Sequence, residues 1–267
     1  AASIFDHSCR GNVVVTYCQT TRTADGAQDL APWILVARAA ARVRAGEELC
    51  HTYVYPFETV GERQDRLGSA YGFQCECERC SVEAPLARQA KAAADDLDRA
   101  VAAFGEARKA GRPGAMVPVI SNLHEALGRI ATLSRRAAAA GAPDGAPDLW
   151  RAQFVWGYHG LAMALEHLGR FDEAAEAYRT CVELIVAAAP SSGYELKYRV
   201  MLVQCLARRA LAGGAVKREE LEDVLRKAED AHGRCYGGGG RHFVTRLGRR
   251  LEEVYRALRT QSIRRAG

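Results

Sequence analysis

The sequence predicts an α+β protein whose strands are confined to its amino-terminal part and whose longer remainder is all helix. Three observations predict this. Residues 1–57 hold β-branched and aromatic runs, Asn12-Val13-Val14-Val15-Thr16-Tyr17 and Trp33-Ile34-Leu35-Val36-Ala37 among them. Three cysteines then stand within six residues, Cys75-x-Cys77-x-x-Cys80. Beyond them alanine, leucine, arginine and glutamate dominate, and apolar residues recur at helical spacing.

The two β-branched runs read as strands joined by a polar loop, Thr20 to Pro32, that contains Asp25-Gly26. Glu47 to Tyr55 reads as a further strand, entered through a turn at Ala45-Gly46. Thr59-Val60-Gly61-Glu62 has the form of a capping box and predicts a short helix ending near Tyr71-Gly72. Ala90, Ala93, Leu97, Val101 and Phe104 mark a helix that stops at Gly111-Arg112-Pro113-Gly114, and Ile120, Leu123, Leu127 and Ile130 mark the next. Gly141 to Asp148 is rich in glycine and proline and is expected to be a linker. Tyr158-x-x-Leu161-Ala162-x-x-Leu165, then Gly169-Arg170-Phe171-Asp172-Glu173-Ala174 with Tyr178 and Cys181, resembles a tetratricopeptide (TPR) repeat. Tyr194 to Leu211, Arg218 to His232 and Phe243 to Leu258 continue as helices, with Gly237 to Gly240 a flexible connection.

Length and composition narrow the class. A chain of 267 residues suits one large domain or two ordinary ones. It has no signal-peptide pattern and no 18-residue apolar run, so a soluble protein without a membrane partner is expected. Nine cysteines, an odd number grouped as metal ligands are, favour a reducing compartment over a disulfide framework. A net charge of +5 tolerates an anionic partner without demanding one. The eight arginines between Arg241 and Arg265 read as a solvated helix face, and direct nucleic-acid binding is not expected. The chain starts at Ala1 and enters a motif at once, which reads as a fragment or a processed product.

Three closely spaced thiols can hold most of a tetrahedral zinc but cannot close it. The fourth ligand has three candidates. Cys18 and Cys50 fall in predicted strands, where a buried small hydrophobe is the plainer reading. Cys9, in Asp6-His7-Ser8-Cys9, lies in a loop and is free to reach.

These motifs together resemble the SET-domain lysine methyltransferases. Asp6-His7-Ser8-Cys9-Arg10-Gly11-Asn12 is similar to their Asn-His-Ser-Cys-x-Pro-Asn motif. Arg42-Val43-x-x-Gly46-Glu47-Glu48-Leu49-x-x-x-Tyr53 resembles their second signature, and Tyr71-Gly72-Phe73-x-Cys75-x-Cys77-x-x-Cys80 their post-SET segment. The helical second half and the Ser-Cys spelling point to the SET and MYND (SMYD) subfamily. The resemblance implies a division into the C-terminal part of a SET domain (1–57), a post-SET zinc-binding segment (58–85) and a TPR-like helical domain (86–267). It implies that Asp6, His7, Tyr53 and Phe73 contact S-adenosylmethionine, that Tyr53 is catalytic and that Tyr71 lines the lysine channel. It implies one structural zinc on Cys9, Cys75, Cys77 and Cys80. The segment carrying Asp6 to Asn12 is expected to meet the strand carrying Tyr53, with zinc pinning the segment of Phe73 against that of His7.

The function so implied is methyl transfer from S-adenosylmethionine to a lysine of a histone or non-histone protein, in the nucleus or the cytoplasm. A peptide partner on the helical domain is a further expectation. The alternative is a non-catalytic interaction module, a degenerate SET remnant with a TPR-like tail. The departures bear on this choice. Asp6 replaces the family asparagine and removes an amide donor. Gly11 replaces a proline, which is expected to loosen the loop without removing chemistry. The family's first SET strands, glycine-rich cofactor loop and MYND finger have no counterpart in the sequence, so weak or absent S-adenosylmethionine binding is expected of this chain alone. His51, Glu47 and Glu48 read as structural.

Overall fold

In a computed structural model, residues 4–19, 33–111, 113–139 and 146–266 are described, with side chains for all of these except 18, 19, 33, 113, 146 and 261–266. Four strands come first: β1 (Asp6–His7), β2 (Val13–Gln19), β3 (Trp33–Ala39) and β4 (Cys50–His51). The β-branched runs form β2 and β3, which pair antiparallel with Val13 opposite Ala39 and Gln19 opposite Trp33. The expected loop from Thr20 to Pro32 lies outside the described residues.

The expected strand from Glu47 to Tyr55 shrinks to two residues. β4 pairs in parallel with β1, Asp6 opposite Cys50 and His7 opposite His51. Side chains satisfy the remaining backbone groups in place of a ladder. Asn12 accepts from the Cys50 amide at 2.9 Å and donates to the Glu48 carbonyl at 2.8 Å. The Tyr53 amide donates to His7 Nδ1 at 3.0 Å. Gly11 is tightly enclosed here, because a Cβ would come within 2.7 Å of the Cys50 carbonyl oxygen and His51 Cα. The expected loosening of this loop is therefore corrected: glycine is what lets the two segments close on each other.

Helix α1 (Val60–Tyr71) has the capping box expected from its sequence. The Glu62 amide donates to Thr59 Oγ1 and the Thr59 amide donates to Glu62 Oε2. Gly72 ends the helix in the left-handed region, φ 77°. Helix α2 (Glu78–Ala110) starts among the cysteines, runs through Pro85 and stops at Gly111, φ 65°. One continuous helix thus joins the cysteine-rich segment to the helical part.

The remaining helices are α3 (Met116–Ala139), α4 (Ala146–Arg151), α5 (Val155–His167), α6 (Phe171–Ala188), α7 (Gly193–Leu211), α8 (Arg218–Tyr236), α9 (Gly240–Leu247) and α10 (Glu252–Ala266). Of the expected linker Gly141 to Asp148, residues 141–145 lie outside the described residues, and Ala146 to Asp148 are already helical. From α5 to α8, each helix packs on the next. Small residues allow close approach: a Cβ at Gly157 of α5 would stand 2.6 Å from Leu97 Cδ1 of α2. No helix among the described residues is long and apolar enough to cross a membrane.

Two cores result. The helical core runs from Ala90 to Ala257 and also takes in Phe57, with Trp150, Tyr178 and Tyr198 among its fully buried side chains. The amino-terminal core is small: Cys9, Val54, Val60, Leu67, Cys75 and Cys80. A seam joins the two parts. Tyr55 stacks on Trp156, ring centroids 6.1 Å apart, and meets Tyr194 edge-on at 5.4 Å. Arg38 donates to the Cys235 carbonyl at 3.2 Å and Ser191 Oγ to the Ala40 carbonyl at 3.0 Å.

Candidate metal centre and aromatic cluster

The turn after β1 carries Cys9 to the cysteines that follow α1. The Sγ atoms of Cys9, Cys75, Cys77 and Cys80 all lie within 4.8 Å of one another, a group that can hold a metal ion. Cys9, Cys75 and Cys80 are buried and Cys77 half-buried, and none is in a disulfide. Cys50 stands outside the group, and the Cys18 side chain lies outside the described residues. Hydrogen bonds from Cys80 and Cys9 hold the Cys77 thiol far below its usual range. The bonds to Cys77 and Cys80 push Cys9 far above that range. Four ionised sulfurs at this separation repel one another, and a dication among them is what lets all four ionise.

Beneath the sulfurs lies a charged set that is wholly buried. Arg63 pairs with Glu83, and Arg79 pairs with the same carboxylate at 2.7 Å; all three side chains have zero exposure. Two guanidinium groups against one carboxylate leave one surplus positive charge out of water. Such a charge requires an anion beside it. Arg63 Nε points at Cys9 Sγ from 3.3 Å and its Nη2 at Cys80 Sγ from 3.9 Å. Arg79 Nη1 donates to the Cys9 carbonyl, while its Nη2 is buried without a partner among the described residues. These surroundings fit anionic sulfur, as a metal-thiolate centre would be.

His7 links this cluster to Tyr53. Its Nδ1 accepts the Tyr53 amide, so the ring proton sits on Nε2, which faces Cys9 Sγ at 3.3 Å. Burial lowers the imidazole pKa to about 4 and keeps the ring neutral. Tyr53 Oη donates to the Phe5 carbonyl at 2.5 Å. Its ring meets His7 at 5.1 Å, His51 at 4.9 Å and Tyr71 at 5.0 Å between centroids. Phe73 closes the group, 5.8 Å from His7 and 6.5 Å from Tyr71. Tyr71 is 51% exposed and Phe73 36%, so the cluster has one open aromatic wall. The residues singled out in the sequence, Asp6, His7, Tyr53, Tyr71, Phe73 and the four cysteines, thus occupy one connected neighbourhood.

No family model matches the chain. Among curated proteins it is similar to the protein-lysine N-methyltransferase SMYD4 of Mus musculus, 38% identical over 84 residues, covering 30% of this chain and 9% of that protein. It is 38% identical over 82 residues to the histone-lysine N-methyltransferase SET5 of Meyerozyma guilliermondii, covering 31% and 15%. It is 34% identical over 81 residues to the N-lysine methyltransferase SMYD2-B of Xenopus laevis, covering 30% and 16%. Over about 30% of its length this chain is SMYD-like, similar to these SET-domain lysine methyltransferases. The match spans less than a sixth of the length of each of these relatives.

Several residues of this SMYD-like site escaped the sequence reading. Arg63 carried a usable signal: with Val60 and Leu67 it lies on the buried stripe of α1, where a charged residue needs a partner. Arg79 and Glu83 do the same on the first turns of α2. His51, read as structural, has its ring against Tyr53 and its Nδ1 3.0 Å from the Thr52 carbonyl. Glu47 behaves as expected of a turn residue, accepting from Asn12 and from the Arg44 amide.

Asp6 gives the SMYD-like chain a pH dependence. The Glu48 carboxyl is raised above its usual range, first by a hydrogen bond to Asp6 and then by the charge of Asp6. A carboxyl raised in the folded state contributes stability when protonated and loses it as pH rises through the carboxylate range. Asp6→Asn removes the repulsion and restores a donor. The variant should melt above the parent at pH 7, and the gap should close near pH 3. A gap that stays constant with pH in thermal melts would show that Asp6 and Glu48 do not interact.

Proposed function

We propose that this protein transfers a methyl group from S-adenosylmethionine to a lysine side chain of a protein, with Tyr53 at the reaction centre. The observation that carries this reading is the convergence of His7, Tyr53, Tyr71 and Phe73 on one partly open aromatic wall beside a tetrathiolate cluster. The names of the relatives support the same chemistry. S-Adenosylmethionine supplies an electrophilic methyl on a sulfonium, so the reaction needs alignment and not a metal.

The residues suit that task. Both ring nitrogens of His7 are engaged within the protein, which leaves the Asp6–His7 backbone and the Phe73 ring as the surfaces for the cosubstrate. Exclusion of water between the Tyr53 and Tyr71 rings would disfavour an ammonium and favour the neutral amine whose lone pair attacks. As the nitrogen–carbon bond forms, the carbon–sulfur bond breaks, and the proton of the product ammonium leaves to solvent. The Tyr53 hydroxyl, held by the Phe5 carbonyl, keeps a fixed direction for orienting the amine. Zinc on Cys9, Cys75, Cys77 and Cys80 would be architectural, since four thiolates leave no open position. The stacked pairs from α5 to α8 read as a TPR-like tail able to hold a partner peptide.

The test is direct. The natural protein carrying this sequence is incubated with S-adenosylmethionine and histone or other protein substrates, and intact mass and peptide mapping are read. A gain of about 14 Da per event at lysine is expected, the mass of one methylene added. A chain that binds partner peptides through its helical part and never incorporates methyl would instead be the interaction module.

A further inference from the structure

We infer that Arg63 is a positioning residue for the metal centre, holding two of its four sulfur ligands from below. This rests on the reading of the cysteine cluster as a zinc site. Arg63 lies on α1, away from every sequence motif of the site, and is fully buried. Its guanidinium uses three edges at once: Nη1 donates to the Glu58 carbonyl at 2.5 Å, Nη2 pairs with Glu83, and Nε faces Cys9 Sγ at 3.3 Å. Nη2 also faces Cys80 Sγ at 3.9 Å. Cys9 arrives from β1 and Cys80 from the first turn of α2. Arg63 therefore spans the two ligands that come from different parts of the chain.

Charge explains why an arginine is needed. Four thiolates around a dication carry two net negative charges, and Arg63, Arg79 and Glu83 beside them are out of water. Arg63 and Arg79 supply two positive charges and Glu83 returns one negative. The buried set then carries a single negative charge in place of two. A guanidinium stays charged in proteins. A guanidinium only donates, so its N–H groups toward sulfur stabilise thiolate over thiol. They also draw electron density from the metal-bound sulfurs. Outer partners of metal ligands typically change metal affinity by about 10- to 100-fold.

The experiment uses the intact chain with Zn(II) and with Co(II) in its place. The parent should hold one metal per chain; a parent that holds none overturns the zinc reading, whatever the variants do. Arg63→Met should lose zinc to a competing chelator about 10- to 100-fold more readily. Its cobalt–thiolate charge-transfer band should move to lower energy, because the sulfurs lose two donors. Arg63→Met leaves Glu83 half-paired, so Arg63→Met/Glu83→Gln is measured beside it. That pair of changes removes one charge of each sign, keeps the buried sum constant and still deletes both contacts to sulfur. Arg63→Lys keeps the charge, shortens the fork and should fall between the parent and Arg63→Met. A band at the parent energy in the double variant or in Arg63→Lys, with chelator transfer within about twofold of the parent, would reduce Arg63 to a plain salt-bridge partner and overturn the inference.

Discussion

Cys9→Ser should release the metal and unfold the amino-terminal part while the helical part stays folded. The reason is the size of the first core. Its buried members are Cys9, Val54, Val60, Leu67, Cys75 and Cys80, so half of them are the sulfur ligands themselves. Three aliphatic side chains cannot order a segment of this length, and small units of this kind depend on a staple. A structural zinc contributes about 10–16 kcal/mol in zinc-finger peptides, and serine at one of four positions forfeits much of that. The variant also leaves Arg63 Nε and His7 Nε2 facing a shorter, neutral hydroxyl in place of the sulfur. The helical core loses little, since it touches the first part mainly through Phe57, Tyr55 and the Arg38 and Ser191 hydrogen bonds. Hydrogen exchange should therefore rise across residues 4–19 and 33–80 and stay near the parent level across residues 116–139 and 146–257, with zinc per chain falling toward zero by mass spectrometry. Full metal content together with unchanged protection of residues 4–19 and 33–80 would remove Cys9 from the centre.

Tyr53→Phe should leave the fold intact and remove most of the methyl transfer. The ring is retained, so the contacts to His7, His51 and Tyr71 survive. Among the described residues the bond lost is that from Tyr53 Oη to the Phe5 carbonyl, a change of about 1 kcal/mol in stability. At a reaction centre the loss of one preorganised hydrogen-bonding group costs far more, about 10²- to 10³-fold in rate. The expected pattern in the natural protein is an unchanged circular dichroism spectrum, a melting temperature within a few degrees of the parent, and turnover lower by that factor with KM little altered. Turnover at the parent rate would place Tyr53 in the structure and not in the chemistry. A large drop in melting temperature with proportional loss of activity would lead to the same conclusion.

Cysteine spacing, capping residues and apolar periodicity were legible in the chain because each depends on neighbours a few residues away. Thr59 and Glu62 meet within one turn, Gly72 and Gly111 adopt a backbone conformation that favours glycine, and Leu123, Leu127 and Ile130 repeat on one face of α3. The resemblance of Asp6 to Asn12 and of Gly46 to Tyr53 to known signatures was legible for a different reason: those residue types stand together in few other settings. The expected strand around Tyr53 failed because local β propensity cannot register a competing partner 38 positions away, as Asn12 is to Cys50. Gly11 was misread for the same reason, since its constraint is the backbone of Cys50 and His51.

By itself, then, the sequence determined the capping box of α1 and the glycine stops of α1 and α2, that three thiols sit together, and which family signature the first 80 residues resemble. Only the tertiary structure decided that Cys9 is the fourth sulfur, that His7 bridges Cys9 and Tyr53, and that Arg63, Arg79 and Glu83 form a buried charge set beneath the cluster. Those facts join residues as much as 71 positions apart. Burial removes them from water, where an isolated charge or sulfur would need no particular partner, and so makes each one depend on what the rest of the chain brings alongside.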